Sequence, residues 1–302
     1  MNESSGLQVL NTGRHKPLRR AAGAVVVTIF VALVTSRTTK ANGQQFTVVA
    51  RVDAKSTGLI SGGVVVRIGN ISVPATAIKA SPEIPRNIAI VLDTGPDQAK
   101  VLSKEKDLAA GLINDLAGSG TSFTIAEAGT STKMQAPTQD RSIAIEHVRA
   151  ITGDSGKKTN IPIYDAIGSV IRKLSITPGL RVVVFIGEGN DGGSRLRYAD
   201  LRNLAESTQI ALCVALVADH TLRGTKSLLR YGWNLRELTD DNAGIFLENL
   251  KTPKAKRRVI DSVQELRLVF FERPSLQSGP YKISVSARKG KRLHAQKAVV
   301  IP

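Results

Sequence analysis

Asn87-Ile88-Ala89-Ile90-Val91-Leu92-Asp93-Thr94-Gly95-Pro96-Asp97 is the stretch on which the fold turns. The apolar run 88–92 stops on an acidic turn containing Gly95 and Pro96. Beyond it Val101, Leu108, Leu112, Ile113 and Leu116 recur at intervals of three, four and seven, which places them on one helical face. The segment predicts a strand, a tight turn and a helix. A strand without polar alternation suits a parallel sheet covered on both faces, and ligands of such sheets bind at the carboxyl ends of the strands. Asp93 and Asp97 sit at that end. Each also has a plain structural reading, Asp93 as the end of the strand and Asp97 as a helix N-cap.

Working outward, the pattern repeats. Residues 121–126 predict a strand, and Ile145, Val148 and Ile151 mark a helix over 141–151. A second helix starts at Ile163. Residues 181–186 form another apolar strand, ending in Gly187-Glu188-Gly189-Asn190-Asp191-Gly192-Gly193-Ser194. Leu196, Leu201, Leu204 and Ala205 mark the next helix, residues 210–217 a third strand, Leu235 and Leu238 a further helix, and 244–247 a short last strand. Strands alternating with helices predict a doubly wound, mostly parallel α/β sheet of the Rossmann-like kind. The polar loop 153–160 is not a phosphate-binding loop, because only two residues separate Gly153 from Gly156 and no apolar strand leads into it.

The ends differ. In residues 1–41 a basic block (Arg14, Lys16, Arg19, Arg20) precedes an uncharged stretch, 21–36, short for a membrane span of about 20 residues. This reads as a signal peptide or an N-terminal membrane anchor. The chain is then exported, periplasmic or secreted, or held at the inner membrane by residues 21–36. Residues 42–84 are rich in β-branched residues and form a small β region, bounded by Pro82 and Pro85. Residues 85–250 hold the α/β domain and 251–302 a basic C-terminal β region.

The net charge is +17, of which six Lys/Arg and one Glu in residues 1–41 account for +5. Much of the rest lies after Lys251, including Lys282, Arg288, Lys291 and Lys297. Few aromatics accompany these charges, which argues against nucleic acid, whose single-stranded binders stack bases on rings. One cysteine, Cys213, lies in an apolar run, so no intrachain disulfide forms.

The quoted turn resembles the first strand of the von Willebrand factor type A (VWA) domain. That family holds a divalent metal with Asp-x-Ser-x-Ser, a Thr from a second loop and an Asp from a third. Ile163-Tyr164-Asp165-Ala166-Ile167 is similar to the helix that follows the family's Thr. The strand 181–186 with its acidic loop is similar to the third motif. Residues 235–246 are similar to a late helix and strand, with Asn242-Ala243-Gly244 standing for Thr-Gly-Gly. The tail, with Tyr281-Lys282-Ile283-Ser284-Val285 and Ala287-Arg288-Lys289-Gly290, resembles that of exported bacterial VWA-related proteins.

The resemblance implies a metal site at Asp93, Asp97 and Glu188, with Thr159 the nearest hydroxyl in the second loop. Mg²⁺ and Ca²⁺ are the candidate cations, Ca²⁺ tolerating more carboxylates. Against this, Gly95 stands where a Ser belongs and Ile161 where the Thr belongs, so the site reads as degenerate. Asn190 and Asp191, at the same strand end, are candidate partner contacts.

The resulting expectation is a non-enzymatic protein-interaction module, for adhesion or scaffolding, with a protein partner and the option of membrane association through the N-terminal segment. Two alternatives stay open. One is a binder of anionic lipid or envelope polymer through the basic C-terminal strands. The other is a metal-dependent hydrolase, for which no nucleophile–base pair is apparent; of the histidines only His220 falls near the expected site.

Overall fold

The computed structural model describes residues 45–52, 63–80, 82–154, 161–217, 226–248, 252–287 and 292–301. Residues 1–41, expected as a targeting segment, and Thr159, His220 and residues 288–291 lie outside them.

Residues 87–93 lie in strand β4 (Arg86–Asp93), which follows β1 (Gln45–Arg51), β2 (Val64–Ile68) and β3 (Ile71–Lys79). The chain continues through α1 (Leu102–Leu116), β5 (Thr121–Ala128), β6 (Thr132–Met134), α2 (Arg141–Ala150), α3 (Ile163–Ser175) and β7 (Leu180–Gly187). Then follow α4 (Tyr198–Thr208), β8 (Ile210–Leu216), α5 (Lys226–Asp241), β9 (Ile245–Glu248) and α6 (Thr252–Gln264). The last strands are β10 (Leu266–Glu272), β11 (Gly279–Ala287), β12 (Arg292–Ala295) and β13 (Ala298–Ile301).

The strands make two sheets. One, in the order β6-β5-β4-β7-β8-β9, is mixed: β4, β5, β7, β8 and β9 pair in parallel and β6 runs antiparallel to β5. Side chains of β4 alternate between its faces. Ile88, Ile90 and Leu92 join a core with Leu108, Leu112, Val148 and Val259 of α1, α2 and α6. Ala89 and Val91 join a second core with Ile167, Val170, Leu201 and Leu238 of α3, α4 and α5. Both faces being covered is why β4 carries no polar alternation.

The other sheet is antiparallel, ordered β12-β1-β10-β3-β2-β11-β13, and β11 also pairs with β12. That pairing closes β12, β1, β10, β3, β2 and β11 into a six-stranded barrel. It is filled by Val48, Ala50, Val66, Ile68, Phe271 and Val285.

This overturns the fold class read from the sequence. The chain is not a doubly wound, mostly parallel sheet with small β elements at its two ends. The β segments from both ends close on each other into an antiparallel barrel, and the second sheet is mixed. The opening of the basic C-terminal segment, expected as β structure, is the helix α6.

Barrel and mixed sheet share material. In β1, Val48 and Ala50 face the barrel interior, while Val49 between them joins the core under α1 and α6. Gln209 and Thr47 exchange two hydrogen bonds: Thr47 Oγ1 donates to Gln209 Oε1 (2.7 Å) and Gln209 Nε2 donates to Thr47 O (2.8 Å).

Candidate functional site

Strands β4, β5 and β7 end side by side, and the turns that follow them meet around Asp93. Its side chain is buried and accepts the N–H groups of Gly95 (3.1 Å to Oδ1), Glu188 and Gly189. The loop after β7 therefore wraps onto the carboxyl group at the end of β4. The approach is close enough that a Cβ on Gly187 would stand 2.2 Å from Asp93 Cβ, so only glycine fits at 187. Burial is the main force on Asp93 and, with the neighbouring Glu188 charge, lifts its pKa to about 7 against the pull of the three N–H donors. Burial disfavours the ionised form by more than the three hydrogen bonds restore, so the group keeps its proton to higher pH.

Glu188 is itself buried. A third buried acid, Glu105 of α1, was not singled out by the motifs. It is fully buried, and neither of its carboxyl oxygens has a hydrogen-bond partner among the described residues. Burial, then Asp93, then Glu188 hold its pKa well above the usual carboxylate range. The sequence did carry a signal: Glu105 is three residues from both Leu102 and Leu108, on the stripe that α1 buries.

Asp97 lies in the short helical turn Pro96–Gln98 that leads from β4 toward α1. In the second loop, Ile161 is buried against Gly95. A Cβ placed on Gly95 would stand 2.7 Å from Ile161 Cγ1 and 3.2 Å from Asp93 Oδ1. The same residue pairs in parallel with Asp191, and Gly192 N donates to Ile161 O (3.2 Å).

Asp191 is buried and turned inward. Its Oδ1 accepts Tyr164 N (3.1 Å) and the Ser194 hydroxyl (2.5 Å), so it caps the first turn of α3 from the neighbouring loop. Burial raises its pKa, and the Ser194 and backbone hydrogen bonds oppose that rise. Asp165 returns the brace, accepting Arg195 N (3.0 Å) and Leu196 N (2.8 Å). Asn190 is half-buried beside it, while Gly192, Gly193, Arg195 and Arg197 are exposed. The first loop is braced too: Asp154 N donates to Thr94 O (2.8 Å) and Thr130 N to Asp154 Oδ2 (3.2 Å).

These residues do not fit a cation held in the VWA manner. Hard cations want several oxygen ligands in a nearly regular shell. Position 95 offers no side-chain oxygen, a hydrocarbon side chain lies against it, and the Asp93 carboxyl is engaged by three N–H donors. Among the described residues no three acidic, histidine or cysteine side chains gather closely enough to hold a metal ion. Two surface clefts among the described residues, one of about 310 Å³ beside Leu293 and His294 and one of about 490 Å³ between α1 and α2, are not lined by Asp93, Glu105, Glu188 or Asp191.

Neither a protein-family model nor a curated protein matches the chain in sequence. Solved structures similar to it include an aerotolerance-related membrane protein from Bacteroides fragilis, 18% identical with a TM-score of 0.47, covering 59% of this chain and 98% of that one. The conserved hypothetical protein BatB from Bacteroides thetaiotaomicron is 18% identical, with a TM-score of 0.48 and coverage of 59% and 97%. A von Willebrand factor type A structure from Catenulispora acidiphila is 10% identical, with a TM-score of 0.48 and coverage of 87% and 74%. These are likenesses of outline, and the site is read from its own residues. No helix among the described residues is long and apolar enough to cross a membrane.

Proposed function

We propose that this chain is an exported, non-enzymatic protein-interaction module of the VWA type. Its binding face is the loop surface at the carboxyl ends of β4 and β7, and its metal site is degenerate. The observation that carries this reading is the bracing of that surface. Asp93, Asp191, Ser194 and Asp165 lock the loops to one another and to α3, and leave Gly192, Gly193, Arg195 and Arg197 facing solvent. A surface fixed in advance loses little freedom on binding, which favours recognition. Enzyme chemistry finds no support in the described histidines: His147 sits on α2, and His294 in the barrel has Nε2 3.1 Å from Gly244 O. The alternative, anionic-surface binding by the C-terminal strands, draws no support from Lys297, whose ammonium group is 2.9 Å from Asp241 Oδ1.

The test is site-specific photo-crosslinking in the native cell envelope. A crosslinker at Gly193 should capture one discrete protein, and Arg195→Glu with Arg197→Glu should reduce the yield severalfold. A crosslinker at Glu272 of the barrel should not capture it. Equal capture from both positions would refute the reading.

A further inference from the structure

The side chain at 161 and the lack of one at 95 belong together. Gly95 has φ −56° and ψ 157°, a conformation open to any residue, so the backbone does not require glycine there. What excludes a side chain is Ile161, whose Cγ1 would stand 2.7 Å from a Cβ at position 95. Ile161 is held in that place from both sides, by its pairing with Asp191 and by the core it shares with Ile163, Ala166 and Val183.

We infer that Ile161 is an intramolecular plug: resting on the reading of this surface as the binding face, its side chain fills the space over Gly95 where a cation's hydroxyl ligand would stand, so partner recognition there proceeds without a divalent cation. The face is then held by protein–protein hydrogen bonds alone. Chelators leave it intact, and cation supply does not regulate it.

The inference is tested on the full chain by thermal melting, which needs no partner and so fails independently of the functional reading. Gly95→Ser should lower Tm by roughly 3–10 °C, the scale of an overpacked core in a chain of this size. In an Ile161→Ala background the same Gly95→Ser change should cost less than half as much, because the obstacle is gone. Parent Tm in 5 mM MgCl₂, MnCl₂ or CaCl₂ should match Tm in EDTA. An equal cost of Gly95→Ser in both backgrounds would overturn the plug. So would a cation-dependent rise in the parent's Tm.

Discussion

Lys297 reaches from the barrel to Asp241 at the end of α5, with Nζ 2.9 Å from Oδ1, and its own backbone N–H donates to Asp241 O (2.9 Å). The Asp241 side chain is 4% exposed, and Arg202 of α4 approaches its other oxygen at 2.8 Å. Arg202 is also paired with Glu206 and Glu237. One buried carboxylate therefore ties the barrel to the helices of the mixed sheet.

Removing that carboxylate leaves two cations facing each other, both half exposed, so the loss is smaller than for a fully buried pair. Asp241→Ala should cost about 2–3 kcal/mol of stability. Lys297→Met should cost about 1 kcal/mol or less, since Arg202 remains. Urea unfolding of both variants checks this ordering.

The buried acids set a pH dependence. Asp93 is raised to about 7 and Glu105 well above its ordinary value, burial being the first cause for each. A raised carboxyl binds more protons folded than unfolded, so its contribution is intact below the unfolded pKa of about 4 and is lost as pH rises through the folded value. For Asp93 alone the loss between pH 4 and 7 is on the order of 4 kcal/mol. Stability should fall from mildly acidic toward alkaline pH. Glu105→Gln, which keeps the shape and removes the charge, should flatten that fall. The variant should match the parent near pH 4 and exceed it at pH 8, as read from Tm across pH.

Asp191 acts through hydrogen bonds to Tyr164 N and Ser194. Asp191→Ala should cost about 1–2 kcal/mol, the range of a lost helix cap. Asp191→Asn keeps an acceptor and should cost less. Hydrogen exchange at Tyr164 and in the 187–196 loop should quicken in the alanine variant and much less in the asparagine variant.

How far the fold was legible follows from the kind of signal each part carries. β4, β7 and β8 are runs with no polar break, and such runs announce a doubly covered sheet wherever they occur. The barrel carried only period-two patterns, which say which face is buried and not which strand is the partner. Its pairing sets Arg51 of β1 beside Leu266 of β10 and His294 of β12, each more than 200 residues away in the chain. α6 was obscured because Lys254, Lys256, Arg257 and Arg258 read as solvated surface. Its buried stripe, Ala255, Val259, Ile260 and Val263, nevertheless has helical spacing.

At the site, Asp93, Glu188 and Asp191 were legible as acids at strand ends, and the structure brings Asp93 and Glu188 together with Glu105. Their surroundings were not legible. That Asp191 faces inward to cap α3, and that Ile161 lies over Gly95, are consequences of loops packing in three dimensions. Thr159 lies outside the described residues.

A binding face that works without a metal takes up no divalent cation. Calorimetric titration of Mg²⁺, Mn²⁺ and Ca²⁺ into the full chain, beside Asp93→Ala and Glu105→Gln, tests it most directly. The expected result is no saturable heat in any of the three proteins. A saturable one-to-one isotherm in the parent that disappears in Asp93→Ala or Glu105→Gln would contradict it.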